Sequence, residues 1–385
     1  MKTLDSFLDQ KPLFYEEIDY ERFPKIYKRI AHHFTIPKII HVIGTNGKGT
    51  TGRFLAQMLH ACGLHVGHYT SPHILELRER IWLDGLPSEN TLLEMAHVQL
   101  CSFLSQEDAD ALSYFEYTTL LAMLVLGPRC DYVVLEAGLG GEFDASNVFP
   151  KILSIVTPIG YDHQSFLGNT IEEIATTKLN SIATNFIIAP QTEKKVLTLA
   201  FQKANMLGVE MVKGHAYLSQ EKAQLIEMFA KKHQLPLFLH DNFITAYSAL
   251  TFLGYDVAIN CTEFKPLSGR YHLFLPNVRL DVGHNPMAAH ALVEAYGDNK
   301  VILVYNSYAD KAYEEILTIL KPIISKVEII PVENTRMVDK NLLKSVIKAL
   351  HLNVEIFQGI DESKEYLVFG SFSVIEAFLK GHRER

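Results

Sequence analysis

The stretch "IIHVIGTNGKGTTGRF", residues 39 to 54, has glycines, a lysine and threonines at a spacing that suits phosphate binding. It departs from the usual phosphate-loop pattern because Gly49 stands where a hydroxyl is expected. The context still fits, since the glycines follow an apolar run and open a helical pattern, where free N–H groups and the helix dipole attract phosphate. Lys48 could reach the outer phosphates of a nucleotide, and Thr50 or Thr51 could offer a hydroxyl to Mg2+. The stretch therefore favours a nucleotide-binding loop over a glycine turn with an exposed lysine.

Two further segments could complete such a site. Glu136 ends an apolar run and enters a glycine-rich loop, where a parallel sheet presents its ligand-binding groups. A buried acid is costly unless a charge meets it, so either Mg2+ or a lysine is expected beside it. Asp162 and His163 follow the next apolar run, as metal ligands or as a structural pair. Lys178, eight residues into the helical run from Thr170, either points back to this edge or is a solvated helix lysine.

The elements that position these residues alternate between β-branched runs and segments of helical period. This alternation is typical of an α/β fold with a mostly parallel sheet flanked by helices. The clearest predicted strands are Lys38–Gly44, Asp131–Gly138, Ile152–Gly160 and Phe186–Pro190, and the clearest helix is Thr170–Ile182.

A Pro-Ser-Gly cluster in "EFKPLSGRYHLF", residues 263 to 274, interrupts the pattern. A second, shorter alternation of strand and helix patterns follows it to the end of the chain. We therefore predict an N-terminal P-loop domain over residues 1–267 and a smaller, Rossmann-like α/β domain over residues 268–385.

The composition of the 385-residue chain narrows the function classes. Its net charge of -8, from 36 basic and 44 acidic residues, disfavours nucleic-acid or anionic-membrane partners. Four cysteines without a C-x-x-C pair, Cys62, Cys101, Cys130 and Cys261, indicate buried thiols in a reducing compartment. The N-terminus has no apolar signal region, and the most apolar run, "LLAMLVL", is too short to span a bilayer. We expect a cytoplasmic, monomeric enzyme that acts on small molecules.

Several blocks of the sequence, taken together, resemble the folylpolyglutamate synthase/dihydrofolate synthase family of the Mur ligase superfamily. The family's loop has the form G-T-N-G-K-G-[ST], which is "GTNGKGT" here, with a glycine between the lysine and the hydroxyl. Other similar blocks are "TSPHILELRERIWLDG", "SYFEYTTLLAML", "LEAGLGGEFDASNV", "GYDHQSFLGNTIEEIATTK", "SGRYHLF", "LDVGHNPMAA" and "FGSFSV". Their order and spacing extend the resemblance over nearly the whole chain.

The resemblance implies roles for individual residues. It assigns the ATP phosphates to Gly47, Lys48, Gly49 and Thr50. It assigns one Mg2+ ion to Ser71 and Glu136, with the Thr50 hydroxyl, and a second Mg2+ ion to His163. Lys178 matches a lysine that family members carry as a carbamate, which makes Lys48, His163 and Lys178 the expected catalytic residues. Further ATP contacts, made from the far side by the C-terminal domain, are implied for Asn242, Arg270, Asp281 and His284. Dihydropteroate contacts are implied for Ser113, Tyr114 and Phe115.

The implied reaction joins L-glutamate to dihydropteroate or to folates at the expense of ATP. Such ligases phosphorylate the substrate carboxylate, and the amine of glutamate then displaces phosphate from the acyl phosphate. The alternatives are an enzyme that only extends folates, another amino-acid ligase of the Mur superfamily, and a nucleotide-dependent switch without ligase activity. The stretch before Gly44 is too short for the UDP-sugar domain of a cell-wall ligase. A switch has no need for a linker arginine and a "GHNP" motif.

Overall fold

The computed structural model describes residues 2–11, 19–259 and 267–383. The chain divides into two compact units, of which the first comprises Met1–His233 and His240–Phe264 and the second Gln234–Leu239 and Lys265–Arg385. The domain boundary that the sequence predicts at residue 268 stays a prediction.

The first unit is built on a mostly parallel sheet. Its strands are β1 (Lys38–Ile43), β2 (Val66–Tyr69), β3 (Ile81–Leu83), β4 (Leu86–Pro87), β5 (Tyr132–Glu136), β6 (Leu153–Val156), β7 (Phe186–Ile188) and β8 (Met211–Lys213). Within the described residues the order is β4-β3-β2-β5-β1-β6-β7-β8. The strands from β2 to β8 in this order pair in parallel, whereas β3 and β4 are antiparallel additions at one edge.

Helices cover this sheet and connect its strands. They are α1 (Leu4–Leu8), α2 (Arg22–Ile30), α3 (Lys48–Ala61), α4 (Asn90–Phe103), α5 (Gln106–Ala111), α6 (Tyr114–Leu126), α7 (Gln164–Leu167), α8 (Ile171–Leu179), α9 (Lys194–Leu207), α10 (Gln220–Lys232) and α11 (Leu237–Phe252). One hydrophobic cluster joins residues of α2, α4 and α6, and another joins residues of α8 and α9. Because helices pack on a parallel sheet in this way, β1 and β5 are almost entirely buried.

The second unit has its own sheet and its own core. Its strands are β9 (His272–Leu275), β10 (Val278–Asp281), β11 (Val301–Tyr305), β12 (Ile324–Ile329), β13 (Val354–Ile356) and β14 (Tyr366–Phe369). Its helices are α12 (Pro286–Tyr296), α13 (Tyr313–Leu320), α14 (Lys340–Ala349) and α15 (Phe372–Arg383). In the described part of this unit the order is β13-β12-β11-β14-β10-β9, and only β9 pairs antiparallel.

The structure confirms the predicted α/β class and the four N-terminal strands. Each strand ends before the glycine or proline that closed the predicted run, because the chain turns there toward the carboxyl edge of the sheet. The predicted helix Thr170–Ile182 forms as α8, with Thr170 as its N-cap and Glu173 completing a capping box.

The prediction of buried thiols was wrong for three cysteines. Cys62, Cys101 and Cys130 are free and only half-buried. Cys62 follows the last turn of α3, where its thiol donates to the Asp256 carbonyl at 3.3 Å, so it lies at a helix end and not in a core. Cys261 lies outside the described residues. Among the helices of the described ranges, none combines the length and the apolar character that crossing a membrane would require.

Candidate active site

The glycine stretch forms a strand-to-helix loop at the carboxyl end of β1. Gly44 has φ of 143° and Gly47 has φ of 84°, a backbone region that favours glycine. Gly47 is the N-cap of α3, so the following N–H groups point out of the first helical turn without intrahelical partners. The N–H groups of Thr45 and Asn46 both donate to the Pro158 carbonyl, at 2.9 and 3.2 Å. These two bonds hold the loop against Pro158, and the N-terminus of α3 remains available for an anion.

Lys48 extends from the first residue of α3 toward the end of β5. Its ammonium donates to the Thr45 carbonyl at 3.3 Å and lies 4.0 Å from Glu136 Oε1. The carboxylate is almost fully buried, with 4% of its side chain exposed, whereas 15% of the Lys48 side chain is exposed. Of the two alternatives for Glu136, the structure shows the lysine, which is that of the loop itself, and the Mg2+ ion stays a prediction.

Glu136 is held on its other oxygen by the segment that follows β2. Oε2 accepts from the Ser71 N–H at 3.2 Å and from the Thr70 hydroxyl. Strands β2, β5 and β1 are neighbours in the sheet, so their carboxyl ends bring Ser71, Glu136 and Lys48 together. Thr50 is buried in the first turn of α3, and the buried Thr51 hydroxyl has no hydrogen-bond partner.

The carboxylate and hydroxyl oxygens of these side chains fit a divalent cation of the Mg2+ or Mn2+ type. A buried carboxylate and hydroxyl groups form a set of oxygen ligands, which hard cations prefer. Glu136 Oε1 lies 4.0 Å from the Lys48 ammonium, beyond hydrogen-bond distance, and so keeps capacity for another ligand.

Lys178 lies on α8 and is buried, so the alternative of a solvated helix lysine was wrong. Its ammonium donates to the Gly44 carbonyl at 2.9 Å, as expected of a side chain that points back to this edge. Burial and, to a smaller extent, the charge of Lys48 lower the pKa of Lys178 to about 7, against smaller opposing effects of Asp162 and Asp144. Lys178 is thus more easily deprotonated than a lysine in water.

Asp162 and His163 follow β6 in the same unit. His163 adopts a left-handed conformation with φ of 52°, and its N–H donates to Asp162 Oδ1 at 2.9 Å. Nε2 of His163 lies 3.9 Å from the same oxygen, and the side chain is 42% exposed, so the ring can be reached from solvent. Gly160, two residues before Asp162, exchanges hydrogen bonds with the Thr45 hydroxyl, which ties this segment to the loop.

Asn242 lies on α11 directly against the loop. A Cβ added at Gly47 would be 2.6 Å from Asn242 Oδ1, so only glycine permits this approach. The side chain is buried. Asn242 therefore belongs to the unit that carries the loop, and not to the C-terminal unit with which the sequence prediction grouped it.

Arg270, Asp281 and His284 come together within the second unit. Asp281 ends β10, and its carboxylate accepts from the N–H groups of Tyr271 and Gly283, at 2.9 and 2.8 Å. Burial raises the pKa of Asp281 above its usual value, and these bonds and the nearby charges of Arg270 and His284 offset the rise only in part. The His284 ring nitrogen Nδ1 contacts the Val282 carbonyl at 3.0 Å, which orients the imidazole.

Ser113, Tyr114 and Phe115 begin α6. The Ser113 hydroxyl accepts from the Glu116 N–H at 3.1 Å, and the Glu116 carboxylate accepts from the Ser113 N–H at 2.8 Å, which is a capping box. Tyr114 stacks under the Arg80 guanidinium, 4.9 Å from the ring centre. Phe115 packs so closely on the loop after Glu136 that a Cβ at Gly138 would be 2.6 Å from its ring.

Two residues of this region escaped the sequence analysis. Asp144 is buried and accepts from the N–H groups of Leu139 and Ser146, at 2.8 and 2.9 Å, and so shapes the glycine-rich loop. Its place in "GLGGEFDASN" could have indicated it, because an aspartate near glycines often closes a turn. The Thr70 hydroxyl also donates to Glu136. Nothing in the sequence singles this residue out, and only the strand order shows that it lies beside Glu136.

No protein-family model matches the chain. The dihydrofolate synthase/folylpolyglutamate synthase of Escherichia coli (strain K12) is 32% identical to it over 341 residues, which cover 83% of this chain and 79% of the relative. The crystal structure of Helicobacter pylori folylpolyglutamate synthetase is 40% identical, with a TM-score of 0.79 over 99% of this chain and 98% of that one. The structure of a bifunctional folylpolyglutamate synthase/dihydrofolate synthase from Yersinia pestis, complexed with AMPPNP and an Mn ion, is 25% identical, with a TM-score of 0.82 over 99% and 98%.

The fold and the loop define a two-domain, ATP-dependent P-loop ligase of the Mur type. The chain belongs to the dihydrofolate synthase/folylpolyglutamate synthase family of ATP-dependent ligases.

The capping box at α6 gives a prediction for stability. Ser113→Ala should lower the free energy of unfolding by about 1 kcal/mol, because the Glu116 N–H loses its acceptor. Chemical denaturation measures this change. Ser105→Ala is the matched control, since Ser105 caps α5 in the same way through the Asp108 N–H at 3.0 Å. An unchanged free energy for Ser113→Ala, with a loss for Ser105→Ala, would show that Ser113 does not cap α6.

Proposed function

We propose that this chain is a bifunctional ligase that joins L-glutamate to dihydropteroate and also extends folates. The observation that carries this proposal is the meeting of Lys48, Glu136 and Ser71 at adjacent strand ends beside a phosphate-type loop. The family membership supplies the reaction class, and the site supplies charge where a phosphoryl group would be transferred.

The chemistry explains why a lysine and a buried acid are needed. A carboxylate is a poor electrophile and must first be activated. Its oxygen attacks the γ-phosphorus of ATP, the bond between this phosphorus and the β-phosphate oxygen breaks, and ADP leaves. The amine of glutamate then attacks the acyl carbon, phosphate leaves with the C–O bonding pair, and the amine proton is released. Lys48 neutralises the phosphoryl oxygens during the first step, and the N–H groups after Gly47 orient them.

The proposed metal ligands follow from the same geometry. Ser71, Glu136 and Thr50 would hold one Mg2+ ion, and His163 would hold a second. When bound, the metal ions neutralise phosphate charge. The Thr70 hydroxyl and the Ser71 N–H fix one oxygen of Glu136 and leave the other oxygen directed at Lys48.

Lys178 is proposed to carry a carbamate. Its neutral amine attacks CO2, an N–C bond forms, and one proton is released. Support comes from its burial against Gly44 and from a pKa of about 7, because only the neutral amine reacts. An anionic carbamate would also remove the repulsion between two neighbouring ammonium groups, Lys48 and Lys178.

The remaining roles are assigned by position. Asn242, beside Gly47, is proposed to contact ATP. Arg270, Asp281 and His284 are also proposed as ATP contacts. Tyr114 and Phe115 are proposed to border the pteroyl group of the substrate, together with Ser113, whose hydroxyl accepts in the cap and keeps its hydrogen for donation.

The proposal extends to the organisation of the enzyme. Residues 1–267 would form the ATP-binding domain and residues 268–385 the glutamate-ligase domain. A monomer in the cytoplasm suits a chain whose thiols within the described residues are free and half-buried.

ATP- and Mg2+-dependent incorporation of labelled glutamate tests the function. The wild type should turn over both dihydropteroate and tetrahydrofolate. Lys48→Ala should lower turnover of both by more than about a hundredfold without changing Tm, because water cannot replace the lost charge. Lys195→Ala, which changes an exposed lysine on α9, is the control and should behave as the wild type. A tenth of the wild-type rate in folded Lys48→Ala would contradict the assigned loop, and no turnover of dihydropteroate would leave folate extension alone.

A carbon-13 NMR experiment with labelled bicarbonate tests the carbamate. The lowered pKa leaves the Lys178 amine neutral above pH of about 7, so a carbamate signal should grow as the pH rises from about 6 to 8. Lys178→Ala should abolish the signal. Lys151→Ala removes a half-buried lysine, whose pKa is lowered by burial to about 8, and should keep the signal. A wild-type spectrum without a carbamate signal at the upper pH would refute the assignment.

A further inference from the structure

Three neighbouring strands end at the edge of the sheet that carries the phosphate loop. Ile43 of β1, Val156 of β6 and Ile188 of β7 lie in register in adjacent strands. Beyond them, the Thr157 N–H donates to the Ile43 carbonyl at 2.8 Å. The Ala189 N–H donates to the Val156 carbonyl at the same distance. The strands end here, so the backbone groups that follow need partners from outside the ladder.

The Gln191 side chain supplies such partners to two residues that follow β6. Its Oε1 accepts from the Ile159 N–H at 2.9 Å, and its Nε2 donates to the Thr157 carbonyl at 3.3 Å. Nε2 also donates to the Ala189 carbonyl at 3.0 Å, which holds the carboxamide against the end of β7. Thr157 and Ile159 are fully buried, so their backbone groups would be costly to leave without partners. A carboxamide suits this position because it carries a donor and an acceptor in one plane.

The segment of residues 157–160, which Gln191 holds, also supports the phosphate loop. Within it, the Pro158 carbonyl accepts from two N–H groups of the loop, at 2.9 and 3.2 Å. Gly160, its last residue, exchanges hydrogen bonds with the Thr45 hydroxyl through both its N–H and its carbonyl, each at 3.1 Å. The loop therefore takes its position from this segment, and the segment takes part of its position from Gln191.

The close packing at this edge leaves little room for adjustment. A Cβ added at Gly44 would lie 2.0 Å from the Thr157 hydroxyl oxygen and 2.9 Å from the Thr157 carbonyl oxygen. This carbonyl is the one to which Gln191 donates. A displaced Thr157 carbonyl would therefore move the first glycine of the loop, and with it the N–H groups that face a phosphate.

We propose that Gln191 is a positioning residue for the phosphate loop, and that it acts through residues 157–160 without contacting a substrate. The N–H groups after Gly47 must meet phosphate oxygens at hydrogen-bond distance, so a shifted loop binds the nucleotide less tightly. The pteroyl group is proposed to lie at the start of α6, outside this segment, so its binding should not change. This inference rests on the assignment of the loop to the ATP phosphates in the proposed function.

Calorimetry and steady-state kinetics with Gln191→Glu test the inference. The new side chain keeps an acceptor for the Ile159 N–H but directs a charged oxygen at the Thr157 and Ala189 carbonyls. The Kd of a non-hydrolysable ATP analogue and the KM for ATP should each rise by at least about fivefold, with the KM for tetrahydrofolate within about twofold of the wild type. A variant that is merely destabilised loses active enzyme, which lowers kcat and leaves both KM values unchanged.

Asn277→Asp is the matched control. The Asn277 carboxamide also donates to two backbone carbonyls, those of Asp361 and Lys364, at 3.2 and 2.7 Å. Asn277 precedes β10, at the opposite end of that strand from Asp281. The control variant should therefore give wild-type values of the Kd and of both KM values.

Gln191→Met guards against a fold that is lost to the partly buried charge. It keeps the length of the side chain, removes all three hydrogen bonds and should raise the same Kd and KM. An increase of less than about fivefold in the folded variants, or an equal increase in the KM for tetrahydrofolate, would overturn the inference and leave the proposed function intact. A wild type that does not bind the analogue would contradict the assigned loop, and with it the proposed function.

Discussion

The approach of the Lys48 ammonium to the buried carboxylate of Glu136 is the interaction on which the site depends. An isolated carboxylate at this depth would be unfavourable by several kcal/mol, so the fold must deliver compensating groups to it. It does so by strand order, because β2 and β1 flank β5 and place Ser71 and Lys48 on either side of its last residue. The charge pair is loose, at 4.0 Å, and partly open to solvent on the lysine side. Such a pair can exchange its partners for phosphate and metal ions.

This arrangement requires glycine at the turn after β1, because the backbone there lies too close to its neighbours for a side chain. A Cβ at Gly44 would be 2.0 Å from the Thr157 hydroxyl oxygen, so a larger residue there would push β1 and β6 apart. The same residue offers its carbonyl to Lys178, whose burial leaves it poorly able to hold a proton. One backbone turn thus positions both lysines, with Lys48 kept near an acid and Lys178 kept near a neutral carbonyl. The difference in surroundings gives two residues of one type different chemistry.

The sequence predicted those parts of the fold and site that local patterns encode. The strands around Ile40 and Val134 could be recognised because buried parallel strands are continuously apolar, and Glu136 stood out because it ended one of them. The burial of Lys178 was not encoded locally, since α8 also carries exposed polar residues, and the lysine is buried where its side chain reaches the Gly44 carbonyl after β1. The Thr70–Glu136 contact joins positions that are 66 residues apart in the chain, and no periodicity predicts such a pair.

The most direct test of this account is a crystal structure of the enzyme with a non-hydrolysable ATP analogue and Mg2+. The account predicts the β- and γ-phosphates at the N-terminus of α3, with Lys48 Nζ in contact with them. It also predicts a metal ion that the Glu136 carboxylate holds directly, at about 2.0–2.1 Å, or through one water. A structure in which the analogue is ordered, the metal ion is bound elsewhere and Glu136 contacts neither the ion nor its water would contradict it.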